Sequence, residues 1–260
     1  WGFDMVTIQK VARDAPWSWL RLGWQDLIRD PILSLTYGLI FAGFGALLSL
    51  GLWSIDMLAL VPVALSGFAL VAPALAIGIY QISRARERGE EPRFRLIISR
   101  FPTRLGQIGF LSVLLLVLLL SWLRVAQFLL VLIAPDIPMQ PGPFVEYLLV
   151  EPAGLTLLAV GTVFGGLLAG AAFAISALAF PMLVDRDVDA VSALTASVKA
   201  VLSQPFVMLS WAWLIAFMMI VGSATFLIGL AISFPWIAHA SWHAYRDFSP
   251  ELSASARSYS

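Results

Sequence analysis

The chain has 260 residues, of which 60% are apolar and 12% are charged, with 16 basic and 16 acidic side chains. Ordinary soluble domains carry about 25% charged residues, so this composition excludes that class and indicates that lipid is the solvent. Zero net charge disfavours a nucleic-acid partner, and the lack of cysteine excludes disulfides, iron–sulfur clusters and thiolate metal sites.

Apolar runs long enough to cross the hydrocarbon core, which needs about 20 residues, occur along most of the chain. We predict an all-α, polytopic membrane protein with about six transmembrane helices. The predicted spans are 32–52, 58–80, 105–134, 155–184, 206–221 and 224–245. Together they form a transmembrane domain, 31–246, between an N-terminal cytoplasmic or interfacial segment, 1–30, and a tail, 247–260.

The distribution of positive charge decides between five and six spans. The last apolar stretch is too long for one span, and Gly222-Ser223 inside it can form a tight turn. With six spans, fifteen of the 16 basic residues fall on one side of the membrane and none on the other. Five spans would move Arg246 and Arg257 across, so we predict six spans with both termini in the cytoplasm.

One pattern occurs three times along the chain: a short amphipathic segment, a proline, and a transmembrane hairpin. The segments are Trp17–Asp30 before Pro31, Phe94–Phe101 before Pro102, and Asp189–Gln204 before Pro205. Proline suits the first turn of a helix, where its missing N–H is not needed. We therefore predict three pseudo-repeated hairpins, each preceded by a short interfacial helix.

Aromatic and arginine side chains near the ends of the predicted spans are typical of the membrane interface. In the first amphipathic segment we expect Trp17, Trp19, Leu20 and Trp24 to face lipid, and Arg21 and Asp26 to face water. The arginines between Tyr80 and Pro92 favour anionic headgroups, with docking to a partner subunit as the alternative. The predicted lipid-headgroup or interface residues are Trp17, Trp24, Arg84, Arg86, Arg88, Trp242, Tyr245 and Arg246.

The two histidines of the chain, His239 and His243, lie four residues apart and share one helical face. Such a pair is a weak candidate for a metal or tetrapyrrole site. No third ligand lies nearby on the predicted helix, so we predict no metal site and interpret both side chains as hydrogen-bonded at the headgroup level.

Arg124 is the only charged residue inside a predicted span. Intramembrane ionisable groups are candidates for function, and Gln127 lies one turn further along the same helix. The two residues therefore form a candidate transport or polar site. The alternative is an arginine that snorkels to the outer interface.

Two loops allow more specific predictions. Asp185, Asp187 and Asp189 resemble cation ligands, but the loop lacks the glycine and distal glutamate of an EF-hand. We interpret it as a solvated loop that also caps the following helix. In the outer loop, 135–152, we predict a short helix around Phe144–Val150.

Small residues recur at four-residue spacing in two predicted spans. They are Gly161, Gly165, Gly166 and Gly170 in the fourth span, and Gly38 and Ala42 in the first. Small residues at this spacing let helices approach closely. They therefore predict tight internal packing or contact with a partner, and the sequence does not tell the two apart.

Four stretches resemble an uncharacterised, domain-of-unknown-function family of proteobacterial integral membrane proteins. The stretches are Leu22–Asp26, Tyr80–Pro92, Phe180–Asp187 and His239–Arg246. The resemblance implies a bacterial inner-membrane protein and no established reaction. Members of this family are sometimes loosely labelled cytochrome c oxidase subunit I. Two histidines and about six spans cannot supply the haem and copper ligands of such a subunit, so the label does not fit this chain.

We find no catalytic motif in a usable context, and the carboxylates do not pair. The sequence thus favours a non-catalytic accessory, assembly or scaffolding subunit beside a larger respiratory or photosynthetic membrane complex. A small permease or channel is the first alternative, and a lipid-acting membrane enzyme is the second. We expect bound lipids and membrane-protein partners, and contact with a pigment or haem only through a partner.

Overall fold

The computed structural model describes residues 9–57, 60–93, 105–225 and 227–249, and these residues form helices joined by turns, without strands. The helices are α1 (Ala15–Arg29), α2 (Pro31–Ser54), α3 (Val61–Leu75), α4 (Ile77–Glu87), α5 (Leu105–Ile133), α6 (Pro141–Val150), α7 (Pro152–Ser176), α8 (Ala179–Asp185), α9 (Ala190–Ser203), α10 (Pro205–Ala224) and α11 (Leu230–Phe248). The chain divides into two compact units. Unit 1 comprises Trp1–Phe41, Pro73–Leu111 and Ala174–Ser260, and unit 2 comprises Ala42–Ala72 and Ser112–Phe173.

Five helical stretches of the described chain are long and apolar enough to cross a membrane. They are Pro31–Ser54, Val61–Glu87, Leu105–Ile133, Pro152–Asp185 and Pro205–Ala224. These stretches overlap the first five predicted spans, and the predicted all-helical, multi-span fold class is confirmed. The chain is a multi-pass integral membrane protein.

The sixth predicted span, 224–245, differs in the structure. Gly222 lies inside α10, which continues to Ala224, and the turn falls after it. A side chain at Gly222 would collide with Ser233, so this glycine serves close helix packing and not a turn. The helix that follows, α11, is not among the five apolar stretches, because its second half is polar. It is almost wholly buried in unit 1, so protein covers it.

Prolines mark where several helices begin or break. Helices α2, α7 and α10 each start at a proline, as expected for a residue without an N–H to donate. Pro73 and Pro181 accompany the short breaks between α3 and α4 and between α7 and α8. Gly89 ends α4 with φ of 71°, a left-handed conformation that glycine adopts without strain.

Two of the three predicted short helices before the spans are α1 and α9, and the third, Phe94–Phe101, lies outside the described residues. Trp19 and Leu20 were expected to face lipid, but they are buried in unit 1. The indole of Trp19 contacts Trp211 and Phe248. A Cβ at Gly23 would lie 2.5 Å from the backbone nitrogen of Ala240. The inward face of α1 therefore packs on α11, which the sequence pattern could not show.

Unit 2 has a small apolar core closed by the predicted outer-loop helix. Its buried members are Leu129, Ala134, Ile137, Phe144 and Leu157. Helix α6 contributes Phe144 and begins three residues before the predicted start. A helix at Phe144–Val150 is thus confirmed, and its apolar side is used for packing.

The predicted cap of α9 is confirmed. Asp189 precedes the helix in an extended conformation, and its Oδ1 accepts a hydrogen bond of 2.9 Å from the backbone N–H of Ser192. Hydrogen bonds from Ser192 hold the pKa of the Asp189 carboxyl below its ordinary value. The rest of this loop is not simply solvated, because the side chain of Asp185 is only 4% exposed.

Replacing Asp189 with alanine removes this cap. We expect a loss of about 1 kcal/mol in the free energy of unfolding, the usual contribution of an N-cap side chain. Thermal unfolding in detergent micelles measures the change. Asp189→Asn is the matched control, because asparagine accepts the same hydrogen bond and should retain most of the stability.

Candidate functional site

A buried polar cluster joins four helices of unit 1. We call Asp26, Ser34, Ser83, His239 and His243 the histidine cluster; they come from α1, α2, α4 and α11. Both ring nitrogens of His239 are engaged: Nε2 lies 2.9 Å from Ser34 Oγ and Nδ1 lies 2.7 Å from Ser83 Oγ. Ser34 and His239 are 0% exposed.

The hydrogen bonds of the histidine cluster have one consistent direction. The Ser83 hydroxyl donates to Asp26 Oδ2 at 2.8 Å, because an ionised carboxylate only accepts. Ser83 Oγ then accepts the Nδ1–H of His239, and the Ser34 hydroxyl donates to Nε2. His243 Nε2 donates to the same Asp26 oxygen at 3.0 Å. A neutral His239 thus satisfies every bond in the chain.

Asp26 collects two of these hydrogen bonds and is the charged end of the cluster. Burial raises the pKa of Asp26, but the hydrogen bond and charge of His243, the nearby His239 and the Ser83 hydroxyl outweigh it. The pKa of Asp26 is therefore lowered from its ordinary 3.8. A carboxyl whose pKa is lower when folded stabilises the fold above its unfolded pKa, and this contribution disappears as pH falls through the folded value.

We therefore expect Asp26→Asn to cost the most stability near neutral pH. The difference from the wild type should shrink as the pH falls through and below the ordinary carboxyl range, since both proteins then carry an uncharged group at position 26. Denaturant titrations in micelles across this pH range measure it. A difference that stays constant with pH would contradict the role of the Asp26 charge.

A second cluster surrounds Asp185, and we call Arg84, Arg88, Asp185, Tyr245 and Arg246 the Asp185 cluster. Tyr245 donates its hydroxyl to Asp185 Oδ2 at 2.8 Å, and Arg246 reaches the same oxygen at 3.3 Å. Arg84 and Arg88 approach Oδ1 at 3.5 and 3.7 Å. One buried carboxylate therefore ties α4, α8 and α11 together.

The arginines predicted for lipid headgroups thus have internal partners. Beyond the Asp185 cluster, Arg86 forms a two-pronged ion pair with Asp30, with Nε 2.6 Å from Oδ2. Arg246 also bonds Glu87 at 2.8 Å. Such paired guanidiniums have less freedom to bind a lipid phosphate.

The predicted interface aromatics divide into two groups. Trp17 and Trp24 on α1 are exposed, at 64% and 40%. Trp242 and Tyr245 on α11 are buried, at 1% and 0%, and Trp242 donates its indole N–H to Glu87. Only the α1 pair is therefore placed where lipid could contact it.

The small residues also divide into packed and open positions. In unit 1, a Cβ at Gly38 would overlap the backbone carbonyl of Ala231, and Ala42 in unit 2 is itself buried. In unit 2, a Cβ at Gly165 would lie 3.0 Å from the ring of Trp122. Gly161, Gly166 and Gly170 have nothing within 4 Å of an added Cβ in the described chain.

Arg124 and Gln127 are brought together, as their spacing predicts. Arg124 donates to the Gln127 side-chain oxygen at 3.1 Å, and both residues are exposed on α5. They lie on the outside of unit 2, and their polar groups do not enter its core.

The sequence did not single out Ser34, Ser83 or Asp30, and it assigned Asp26 to water. Their partners are between 56 and 217 residues away in the chain, so local periodicity carries no signal for these contacts. The spacing of His239 and His243 was the one visible sign, because it places both rings on one side of α11.

Within the described residues, no group of three or more histidine, cysteine, aspartate or glutamate side chains could hold a metal ion. Comparison with curated proteins and with solved structures found no match. Residues 60–185 match a family model described as predicted integral membrane protein. The resemblance predicted from the sequence is therefore confirmed over residues 60–185, which are similar to the DUF2189 family of predicted integral membrane proteins.

Proposed function

We propose that this protein is a non-catalytic accessory, assembly or scaffolding subunit of a larger membrane complex in the bacterial inner membrane. The observation that carries the proposal is the Arg124–Gln127 pair, exposed on an apolar helix. An arginine at the centre of a bilayer costs at least about 2.5 kcal/mol, so intramembrane charges usually face protein. A partner helix that covers Arg124 would remove this cost.

Two further features support this proposal, one for the partner and one for the non-catalytic role. Gly161, Gly166 and Gly170 leave part of α7 free of side-chain bulk, and small residues let a neighbouring helix approach closely. The histidine cluster supports a non-catalytic role, because Ser34 and His239 have no exposed surface through which a substrate could reach them. A permease has less support, because Arg124 faces outward and does not line an internal path. A lipid-acting enzyme also has less support, because Ser34 and His239 are buried.

The proposal includes both termini on the cytoplasmic side. The backbone N–H of Gln9 donates to the carbonyl of Phe248 at 3.3 Å, and Trp19 donates to Asp247 at 2.6 Å. The two ends of the described chain are therefore neighbours in unit 1. Neighbouring ends support an even number of crossings, and we propose α11, which protein covers in unit 1, as the sixth.

The test is photo-crosslinking in native membranes. A benzophenone amino acid replaces Phe128, which is 64% exposed and lies one turn from Arg124. We expect a crosslink to one specific membrane protein, and its loss when Arg124→Leu is added. The matched control places the same probe at Leu116, which is 45% exposed on the same helix further from Arg124. Lipid adducts alone, unchanged by Arg124→Leu, would sink the proposal.

A further inference from the structure

Helix α1 has an outer face that points away from Trp19 and Gly23, the residues packed most closely on α11. We call Trp17, Arg21, Trp24, Gln25, Ile28 and Arg29 the α1 outer face, and all six are exposed. Trp17, Trp24 and Ile28 are 64%, 40% and 55% exposed. Trp24 lies at the edge of this face and also contacts Trp236 of α11, with ring centroids 4.8 Å apart. Trp17 and Ile28 need a covering that the described part of the chain does not supply.

The two sides of this face differ in chemistry. At 100° per residue, Trp17, Trp24 and Ile28 fall within one narrow stripe. Arg21 lies at the edge of that stripe, and Arg29 lies further toward the polar side, about 12 Å along the helix from Arg21. Interfacial helices have this arrangement, with Trp and aliphatic residues in the acyl boundary and arginines beside the headgroups.

The arginines of this face differ from those of α4. Arg21 and Arg29 form no ion pair with the described residues, whereas Arg84 and Arg86 are held by Asp185 and Asp30. The carboxylate that α1 itself contains, Asp26, is bonded to His243 and Ser83. The α1 outer face is therefore positively charged, without an internal counter-ion in the described chain.

The position of α1 in the chain places this face at the membrane boundary. A single residue, Asp30, separates Arg29 from Pro31, the first residue of the apolar stretch Pro31–Ser54. The end of α1 therefore lies within about 7 Å of the start of a candidate span. Phospholipid headgroups are the chemistry expected at that depth.

We propose that the α1 outer face binds anionic phospholipids, with Arg21 and Arg29 contacting their phosphates and Trp17, Trp24 and Ile28 in the acyl boundary. The structure thereby assigns headgroup binding to a pair of arginines that sequence reasoning did not select, in place of those held by Asp185 and Asp30. This inference does not depend on the accessory role, since lipid binding requires no partner subunit.

The first test is lipid retention by the full chain in mixed micelles of phosphatidylglycerol and phosphatidylcholine, read by native mass spectrometry. We expect preferential retention of phosphatidylglycerol. Each of Arg21→Gln and Arg29→Gln should weaken the preference by roughly five-fold. Arg93→Gln is the matched control: it removes one charge from an exposed arginine beside Glu91 and should leave the preference unchanged.

A second measurement follows α1 directly. The chain has no cysteine, so Gln25→Cys creates a single labelling site for a polarity-sensitive dye. In proteoliposomes we expect a more apolar signal with phosphatidylglycerol than with pure phosphatidylcholine, and its loss in the Arg21→Gln/Arg29→Gln variant. Equal retention of both lipids, or a preference untouched by that variant, overturns the proposal. The proposal is also overturned if the dye in native membranes is shielded by a protein that can be crosslinked to position 25, and if this shielding does not depend on lipid charge.

Discussion

Replacing Gly38 with alanine is expected to separate α2 from α11 and to destabilise unit 1. A Cβ at this position would overlap the carbonyl oxygen of Ala231, and backbone atoms cannot move aside like the end of a flexible side chain. Helix α2 would have to shift, and this would disturb the neighbouring contact of Phe41, which stacks on Phe234 with ring centroids 3.9 Å apart. Overpacking of this kind typically costs about 1–3 kcal/mol, and we expect the upper end. Denaturation by SDS in mixed micelles measures the loss.

The control for this prediction is the same substitution on the same helix. Gly43 has nothing within 4 Å of an added Cβ, so Gly43→Ala makes no collision. Alanine is the better helix former by about 1 kcal/mol, and this variant should be as stable as the wild type or slightly more so. Equal losses in both variants would show that helix flexibility, and not the contact with Ala231, explains the effect.

Replacing His239 with leucine is expected to be the most damaging change in the histidine cluster. The ring accepts from Ser34 and donates to Ser83, and leucine can do neither. The Ser34 hydroxyl would be left without its partner, at about 1–3 kcal/mol for an unsatisfied buried group. Ser83 would keep its bond to Asp26 and lose only the hydrogen bond from His239, at about 1 kcal/mol. We expect a total loss of about 3 kcal/mol, measured by the same SDS titration.

A double-mutant cycle identifies the source of this loss. Ser34→Ala removes the hydroxyl that His239→Leu would leave unpaired, so the double variant should lose less than the sum of the single variants, by about 1 kcal/mol. His243→Leu is the comparison on the same helix. Its side chain is 23% exposed and can leave its partner to water, so its loss should be smaller. Simple additivity would contradict the coupling between Ser34 and His239.

The arginines of the described helices fall into two groups, those paired with buried carboxylates and those exposed on helix surfaces. The Asp185 cluster and the Asp30–Arg86 pair hold arginines that the charge pattern assigned to lipid. Arg21 and Arg29 remain exposed on α1, and Arg124 remains exposed on α5. The proposals for lipid binding and for a partner subunit therefore rest on different arginines, in different units, and can fail separately.

Several features were determined by the sequence alone because their causes are local. Stretches of about 20 apolar residues predict spans whatever surrounds them, which is why five of the predicted spans overlap apolar helices of the structure. The prolines that start α2 and α10 act within one turn, and Asp189 caps α9 through a residue three positions away. A helix near Phe144–Val150 follows from the same short-range pattern.

The tertiary structure decided which faces meet, and no local pattern contains that information. Helix α11 has the length of a span and a polar half, and its burial follows from partners on α1, α2 and α4 that are distant in sequence. Partners distant in sequence also explain why Asp26 bonds His243 instead of facing water, and why Trp242 and Tyr245 are buried. Burying a polar group costs free energy unless a hydrogen-bonding partner is buried beside it, and these partners come together only in the folded chain.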